Sequence, residues 1–360
     1  MTRGCNFSAG PAALPEEVLR QAQSELLEWG SARASVMEIS HRSRAFMDLA
    51  EESEQDLRDL MSIPDNYRVL FLQGGATQHF AQIPMNLARP DQSADYIVTG
   101  AWGEKAVREG SPYVQARIAA SSIDSHYTRI PARSAWDLDP DACYLHYTPN
   151  ETIHGVEFQD VPEVGNVPLI ADMSSDILSR PIDVSRFGLI YAGAQKNIGA
   201  SGLVILIIRD DLLERCPDSM ARIFSYAEHA AGRSLFNTPN TYGWYLASLV
   251  FKWLKAQGGV VAMGERNKSK AELLYSTIDQ SDFYSNPVEA SARSWMNVPF
   301  FLGRPELDAA FLAEADAAGL IGLKGHRVLG GMRASIYNAI SLDQVRTLVD
   351  FMRDFASRHG

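Results

Sequence analysis

Two residues in this sequence could do chemistry as a pair. Asp172 closes the apolar run Val167-Pro168-Leu169-Ile170-Ala171, and Lys196 follows 24 residues later, behind the small-residue turn Gly193-Ala194-Gln195. An amine can hold an aldehyde cofactor as an imine, and a carboxylate can keep a pyridine nitrogen protonated, which makes the ring an electron sink. The pair therefore points to pyridoxal 5'-phosphate, bound covalently on Lys196 and braced by Asp172. Taken singly, Asp172 would be a helix cap before Met173-Ser174-Ser175 and Lys196 a solvated loop lysine. Placement of both at strand ends, where open α/β sheets bind ligands, favours the paired reading.

Other residues stand just after apolar runs. Gly74-Gly75-Ala76-Thr77 lies between a buried run and a helical pattern, where glycines and a helix N-terminus could cradle a phosphate. It is neither a Walker loop nor a dinucleotide fingerprint, and a Gly-Gly pair is often only a turn. Trp102 could stack on a pyridine ring or be an ordinary core tryptophan. Thr152 could bond to a ring oxygen or simply pack in its loop, and both readings stand. His41-Arg42-Ser43-Arg44 is either a solvated segment ahead of a helix or half of an anion site. A second cluster, Lys324-Gly325-His326-Arg327 with Arg333, lies far along the chain. Two such clusters suit carboxylate or phosphate, which the guanidinium fork matches. The eight histidines show no HxH or HExxH spacing, so no metal is expected.

The elements that must position these residues alternate. Short apolar strands at Tyr67–Leu72, Asp95–Thr99, Ala142–Tyr147, Val167–Ala171, Leu189–Ala192 and Leu203–Ile208 are interleaved with helical segments such as Gln78–Leu87 and Gly103–Arg108. Strands without polar alternation are buried on both faces, so the class is α/β, a mostly parallel sheet covered by helices. Pro15-Glu16-Glu17 opens a helix whose repeat Val18, Ala22, Leu26 is expected to run until Gly30. Phe46, Leu49, Ala50, Leu57, Leu60 and Met61 mark a second amphipathic helix. After a helix from Tyr242 to Lys255, Gln257-Gly258-Gly259 breaks the chain. Helices at Glu265–Ile278, Glu306–Gly319 and from Ser341, with a strand at Ser294–Pro299, then read as a smaller α+β domain. The expected division is 16–259 for the large domain and 260–360, with 1–15, for the small one.

The 33 basic residues against 44 acidic ones give a net charge of −11, which argues against nucleic acid as the main partner. No apolar run approaches the ~20 residues of a membrane helix. Met1 to Ser8 have no stretch of signal-peptide kind, and Cys5, Cys143 and Cys216 read as free thiols, so the cytoplasm is the expected location.

With these residues in place, the chain resembles the phosphoserine aminotransferases, class V, fold-type-I pyridoxal-phosphate enzymes. The resemblance rests on Asn6-Phe7-Ser8-Ala9-Gly10-Pro11, His41-Arg42-Ser43, Gln73-Gly74-Gly75-Ala76-Thr77, Ala171-Asp172-Met173-Ser174-Ser175, Gln195-Lys196-Asn197-Ile198-Gly199, Asn237-Thr238-Pro239, Lys324-Gly325-His326-Arg327 and Gly330-Gly331-Met332-Arg333-Ala334-Ser335. It departs at Gln78-His79-Phe80 and Ala200-Ser201-Gly202, neither of which includes a residue with an assigned role, so the departures bear on fine geometry near the phosphate. It implies that Lys196 carries the cofactor and moves the proton, and that Asp172 pairs with the pyridine nitrogen. Trp102 would stack on the ring and Thr152 contact its oxygen. Gly75, Ala76, Thr77 and Gln195 would hold the phosphate, joined by Asn237 and Thr238 from the partner of a homodimer. Arg333 would bind the α-carboxylate, and His41, Arg42, His326 and Arg327 the distal phosphate or carboxylate. The implied reaction links phosphoserine and 2-oxoglutarate with 3-phosphohydroxypyruvate and glutamate in serine biosynthesis. A phosphorylated hydroxythreonine of pyridoxine synthesis is an additional implied substrate.

The alternatives are an alanine–glyoxylate or serine–glyoxylate aminotransferase, a cysteine desulfurase, or a non-catalytic pyridoxal-phosphate carrier. A desulfurase needs a late nucleophilic cysteine, and none follows Cys216. Small-substrate enzymes have no use for His41-Arg42 opposite His326-Arg327.

Overall fold

The computed structural model describes residues 3–360; Met1 and Thr2, part of the expected 1–15 segment, lie outside the described residues. The chain begins with β1 (Cys5–Asn6), α1 (Glu16–Ser24), α2 (Arg44–Met61), β2 (Tyr67–Gly74), α3 (Ala76–Leu87), β3 (Ser93–Val98), α4 (Ala101–Gly110) and β4 (Gln115–Ser121). It continues through β5 (Leu145–Tyr147), β6 (Asn150–Glu151), β7 (Val156–Glu157), β8 (Leu169–Asp172), β9 (Leu189–Gly193), β10 (Gly202–Arg209), α5 (Asp210–Leu213), α6 (Tyr226–Ala231) and α7 (Thr241–Ala256). Last come α8 (Gly259–Asp279), β11 (Tyr284–Ser285), β12 (Asn297–Leu302), α9 (Asp308–Ala317), β13 (Leu320–Ile321), β14 (Met332–Ser335) and α10 (Leu342–His359).

Seven strands form the main sheet in the order β2-β10-β9-β8-β5-β3-β4. Only β10 runs antiparallel to its neighbours; the remaining contacts are parallel. Residues of β10 alternate between two apolar clusters, Ile205 and Ile207 facing one and Leu206 and Ile208 the other, so both faces are covered. That is the physical reason for its unbroken apolar run. A further cluster gathers α8, α9, α10 and the antiparallel strands β11, β12 and β14, and Phe7 and Ala13 pack into it. β1 is held there too, pairing in parallel with β13.

Several expected boundaries moved. α1 ends at Ser24, well before Gly30, with Glu25 as its C-cap. Leu26, expected on the buried stripe, is 39% exposed. The strand expected from Ser294 starts at Asn297, since the Ser294 hydroxyl accepts the N–H groups of Met296 and Asn297 and makes a turn of them. α8 starts at Gly259, earlier than the expected Glu265, directly after the break at Gly258, whose φ is +94°. The edge strand β4 was not anticipated: its outward Ile118 is 57% exposed, so it lacks the apolar run that marks its neighbours. Arg117 ties it to Asp95 on β3 at 2.8 Å.

Candidate active site

The carboxyl ends of β8 and β9 open into a cavity of about 410 Å³. Asp172 is the last residue of β8, and its side chain is fixed rather than free. Oδ1 accepts the Ser174 backbone N–H at 3.0 Å and the Ser174 hydroxyl at 2.5 Å. That hydroxyl in turn accepts the N–H of Gly193 at 2.9 Å, locking the carboxylate to the end of β9. Lys196 sits on the turn after β9 and also lines the cavity. Burial lowers the Lys196 ammonium from its usual range, against the attraction of Asp172. Burial raises Asp172, opposed by its bonds to Ser174 and by Lys196. Both groups are pushed toward their neutral forms, as desolvation demands.

A third wall is the start of α3. Gly75 caps this helix without a side-chain bond, so the first N–H groups, at Ala76 and Thr77, face the cavity region without intrahelical acceptors. A Cβ at Gly75 would meet nothing within 4 Å, which leaves open space at that rim. Gly74 before it has φ +115°, the conformation that lets the chain turn from strand to helix. Gln195 closes the side nearest Lys196. Lys105, absent from the sequence expectations, donates to the Thr77 hydroxyl at 2.9 Å and lies 5.5 Å from the Trp102 ring centre. Its signal was available, because it stands one helical turn after Trp102 on α4.

Trp102 faces Lys196, whose Nζ is 6.0 Å from the ring centre. The indole N–H donates to the Thr152 hydroxyl at 2.9 Å, while the Trp102 backbone N–H donates to Glu151. Arg333, on β14, reaches across and donates to the Thr152 carbonyl at 2.8 Å. His326 lines the same cavity, and burial with the nearby Arg333 and Arg327 lowers its basicity. The segment around Ala9 and Gly10 forms the lid over the lysine. A Cβ on Gly10 would stand 3.4 Å from Lys196 Cε, and φ there is +150°. Ser174, Ala9 and Gly10 stood in the quoted motifs without a chemical role; their positions here supply one.

Of the expected site residues, one chain brings Gly75, Ala76, Thr77, Trp102, Thr152, Asp172, Gln195, Lys196, His326 and Arg333 to this cavity. It does not bring His41, Arg42, Arg327, Asn237 or Thr238, none of which lines it. Arg42, Arg327 and Thr238 are exposed, and His41 and Asn237 half-buried. His41 and Arg42 lie just ahead of α2, whose cap is the Ser43 hydroxyl. The Thr238 carbonyl accepts from Gln73 at the end of β2.

The family described as Aminotransferase class-V matches residues 5–348. A phosphoserine aminotransferase of Pseudomonas aeruginosa is 58% identical over 358 residues, covering 99% of each chain. The solved phosphoserine aminotransferase of Bacillus circulans subsp. alkalophilus superposes with a TM-score of 0.97 at 44% identity, covering 99% of both chains. That of Trichomonas vaginalis, described as PLP-bound, gives a TM-score of 0.93 at 39% identity, covering 98% of this chain and 100% of that one. The chain thus belongs to the class V aminotransferases and, among them, to the phosphoserine aminotransferase family.

Proposed function

We propose that this chain is a pyridoxal-phosphate-dependent phosphoserine transaminase, passing the amino group between phosphoserine or glutamate and 3-phosphohydroxypyruvate or 2-oxoglutarate. The observation that carries the reading is the convergence of Lys196, Asp172, Trp102 and Arg333 on one cavity at the carboxyl ends of the sheet strands. The architecture is that of a fold-type-I transferase. The cofactor fits the residues present: a half-buried amine, a braced carboxylate, and a helix start with open N–H groups and room beside Gly75.

When bound, pyridoxal phosphate supplies an electron sink for the bond broken at the substrate's α-carbon. Lys196 would hold it covalently, and its amine would carry the proton that leaves the substrate's α-carbon. The lowered basicity of Lys196 suits both tasks, since only the free amine attacks or accepts a proton. Asp172 would keep a proton on the pyridine nitrogen, its carboxylate being held in one orientation by the Ser174 hydroxyl. Trp102 would cover one ring face and Thr152 would contact the ring oxygen. Gly75, Ala76, Thr77 and Gln195 bind the phosphate, with Lys105 adding positive charge beside Thr77. Arg333 takes the α-carboxylate.

The distal anion requires more than one chain's cavity offers. His326 is in place, and Arg327 lies next to it. His41 and Arg42 do not line their own chain's cavity, so a role there calls for a second copy, and Asn237 and Thr238 follow the same logic for the cofactor phosphate. A homodimer with composite sites is the assembly this supports. The same distal site would accept 4-phosphohydroxythreonine. We also retain the two domains, 16–259 and 260–360 with 1–15, supported by separate apolar clusters and by the packing of Phe7 and Ala13. Three unbridged cysteines are in keeping with the cytoplasm, and among the described residues no helix is long and apolar enough to cross a membrane. The deciding experiment is a coupled assay with 2-oxoglutarate, comparing phosphoserine with serine as amino donor. Equal rates would overturn the phosphate specificity and favour the small-substrate relatives.

A further inference from the structure

Glu151 is fully buried, does not line the cavity, and has no part in the chemistry above. It nevertheless meets both walls of the site. Its Oε2 accepts the N–H of Trp102 at 3.1 Å and its Oε1 the N–H of Gly103 at 2.7 Å. These are donors of the first turn of α4, whose own cap, Gly100, offers no side chain. The Glu151 carboxylate therefore caps α4 from a distant part of the chain. Its backbone belongs to the tight hairpin β6–β7, where Glu151 pairs with Val156 and its carbonyl accepts from Gly155 at 2.8 Å. The next residue, Thr152, binds Trp102 through its hydroxyl and Arg333 through its carbonyl. Two adjacent residues thus hold the Trp102 backbone, its indole N–H and the guanidinium across from it.

We propose that Glu151 is a positioning residue for the reaction: through the hairpin that it anchors, it sets the Trp102 ring and the Arg333 guanidinium at one fixed spacing across the cavity. This rests on the roles proposed above for Trp102 and Arg333. There is no slack in the arrangement, because a Cβ on Gly100 would land inside van der Waals contact of Glu151 Cδ. Burial raises the Glu151 carboxyl to about 7, while the N–H groups of Gly103 and Trp102 hold it down, Asp172 adds to the rise and Lys196 opposes it. The buried carboxyl is thus bound to the site electrically as well as mechanically.

The test uses Glu151→Gln in the cofactor-loaded enzyme. The amide replaces one acceptor oxygen by NH2, which cannot accept from Trp102 or Gly103. Borohydride should still trap the cofactor at full yield. The visible circular dichroism of the bound cofactor should fall at least about two-fold, and KM should rise roughly ten-fold for phosphoserine and glutamate alike, the size of one lost charged hydrogen bond. Gly100→Ala keeps Glu151 but crowds it, in an extended backbone any residue adopts, and should give the same signature. Unchanged dichroism and KM in both variants, with only a lower melting temperature, would overturn the proposal. Should neither variant yield folded protein, amide exchange in the unaltered enzyme decides. Protection of Trp102 and Gly103 matching the interior of α4 supports the cap, and exchange as fast as an uncapped helix start refutes it. Failure of the unaltered enzyme to use phosphoserine would sink the functional reading alone, leaving the dichroism to judge Glu151.

Discussion

The hydroxyl of Ser174 donates to Oδ1 of Asp172 at 2.5 Å while accepting the N–H of Gly193. One small side chain thus ties the carboxylate at the end of one strand to the end of the next. Ser174→Ala should leave the fold intact but free the carboxylate to turn, and should raise its pKa further, since the Ser174 bond is what most opposes the effect of burial. A hydrogen bond to a charged group is worth about 1.5–3 kcal/mol, so kcat should drop roughly ten- to a hundred-fold. Single-turnover kinetics followed by cofactor absorbance would measure it.

Lys196→Ala should fold, bind cofactor loosely and lose covalent attachment, so that borohydride traps none. Asp172→Asn should keep the attachment yet slow transamination by roughly two to three decades, the scale of breaking a buried ion pair from one side. Trapping at normal yield by the first variant, or near-normal turnover by the second, would remove these assignments.

Specificity for phosphate should separate the arginines. Arg333→Ala should depress kcat/KM for phosphoserine and glutamate about equally, because both carry an α-carboxylate. Arg42→Ala and Arg327→Ala should each harm phosphoserine more than glutamate, since a phosphate near −2 engages more donors than a carboxylate. The two half-reactions, measured separately, give the comparison directly.

Subunit mixing tests the composite site. Lys196→Ala and Arg42→Ala homodimers should each be nearly inactive with phosphoserine. Reassociated in equal amounts, hybrids carry one site with both residues intact, so activity should recover to about a quarter of normal. No recovery on mixing would place Arg42 in its own subunit's site, or in none.

Away from the site, Lys270 is buried and donates to the carbonyls of Ile336, Tyr337 and Ile340 at 2.8–2.9 Å. Three acceptors favour the ammonium, but burial opposes it more strongly and lowers the group from 10.5 to about 7. Between those two values the unfolded chain binds the extra proton, so this group makes stability rise with pH from about 7 to 10.5. Lys270→Met should abolish that slope. It should also cost about 1–3 kcal/mol or more at neutral pH, because buried carbonyls are left unpaired. Urea titrations across that pH range would show both effects.

Much of the site was legible because its chemistry sits at strand ends, and strand ends can be found from apolar runs. Asp172, Lys196 and Gly75 were recovered that way, while Trp102 gained meaning only from its neighbours. Glu151 and Ser174 were not recovered. Each acts through hydrogen bonds to backbone groups distant in sequence, and nothing in local composition announces such partners. The misplaced start of β12 has a local cause: the Ser294 hydroxyl offers the backbone hydrogen bonds that apolar periodicity does not register. The strand β4 escaped because its first half lies open to solvent, with Ile118 57% exposed, and so carries no unbroken apolar run, unlike β2 at the opposite edge.

The parallel pairing of β1 with β13 carries a consequence for the order of events during synthesis. Cys5 pairs with Leu320, a residue made 315 positions later, and that pairing helps moor the segment bearing Gly10 over Lys196. Until the ribosome has produced β13, β1 has no partner strand and the segment is tied only from its far side, where the Ala12 N–H donates to the Gln195 carbonyl, although every strand of the main sheet is already complete. The cover of the amine is thus completed from both ends of the chain, and its outer mooring comes only after the sheet that carries Lys196 is finished.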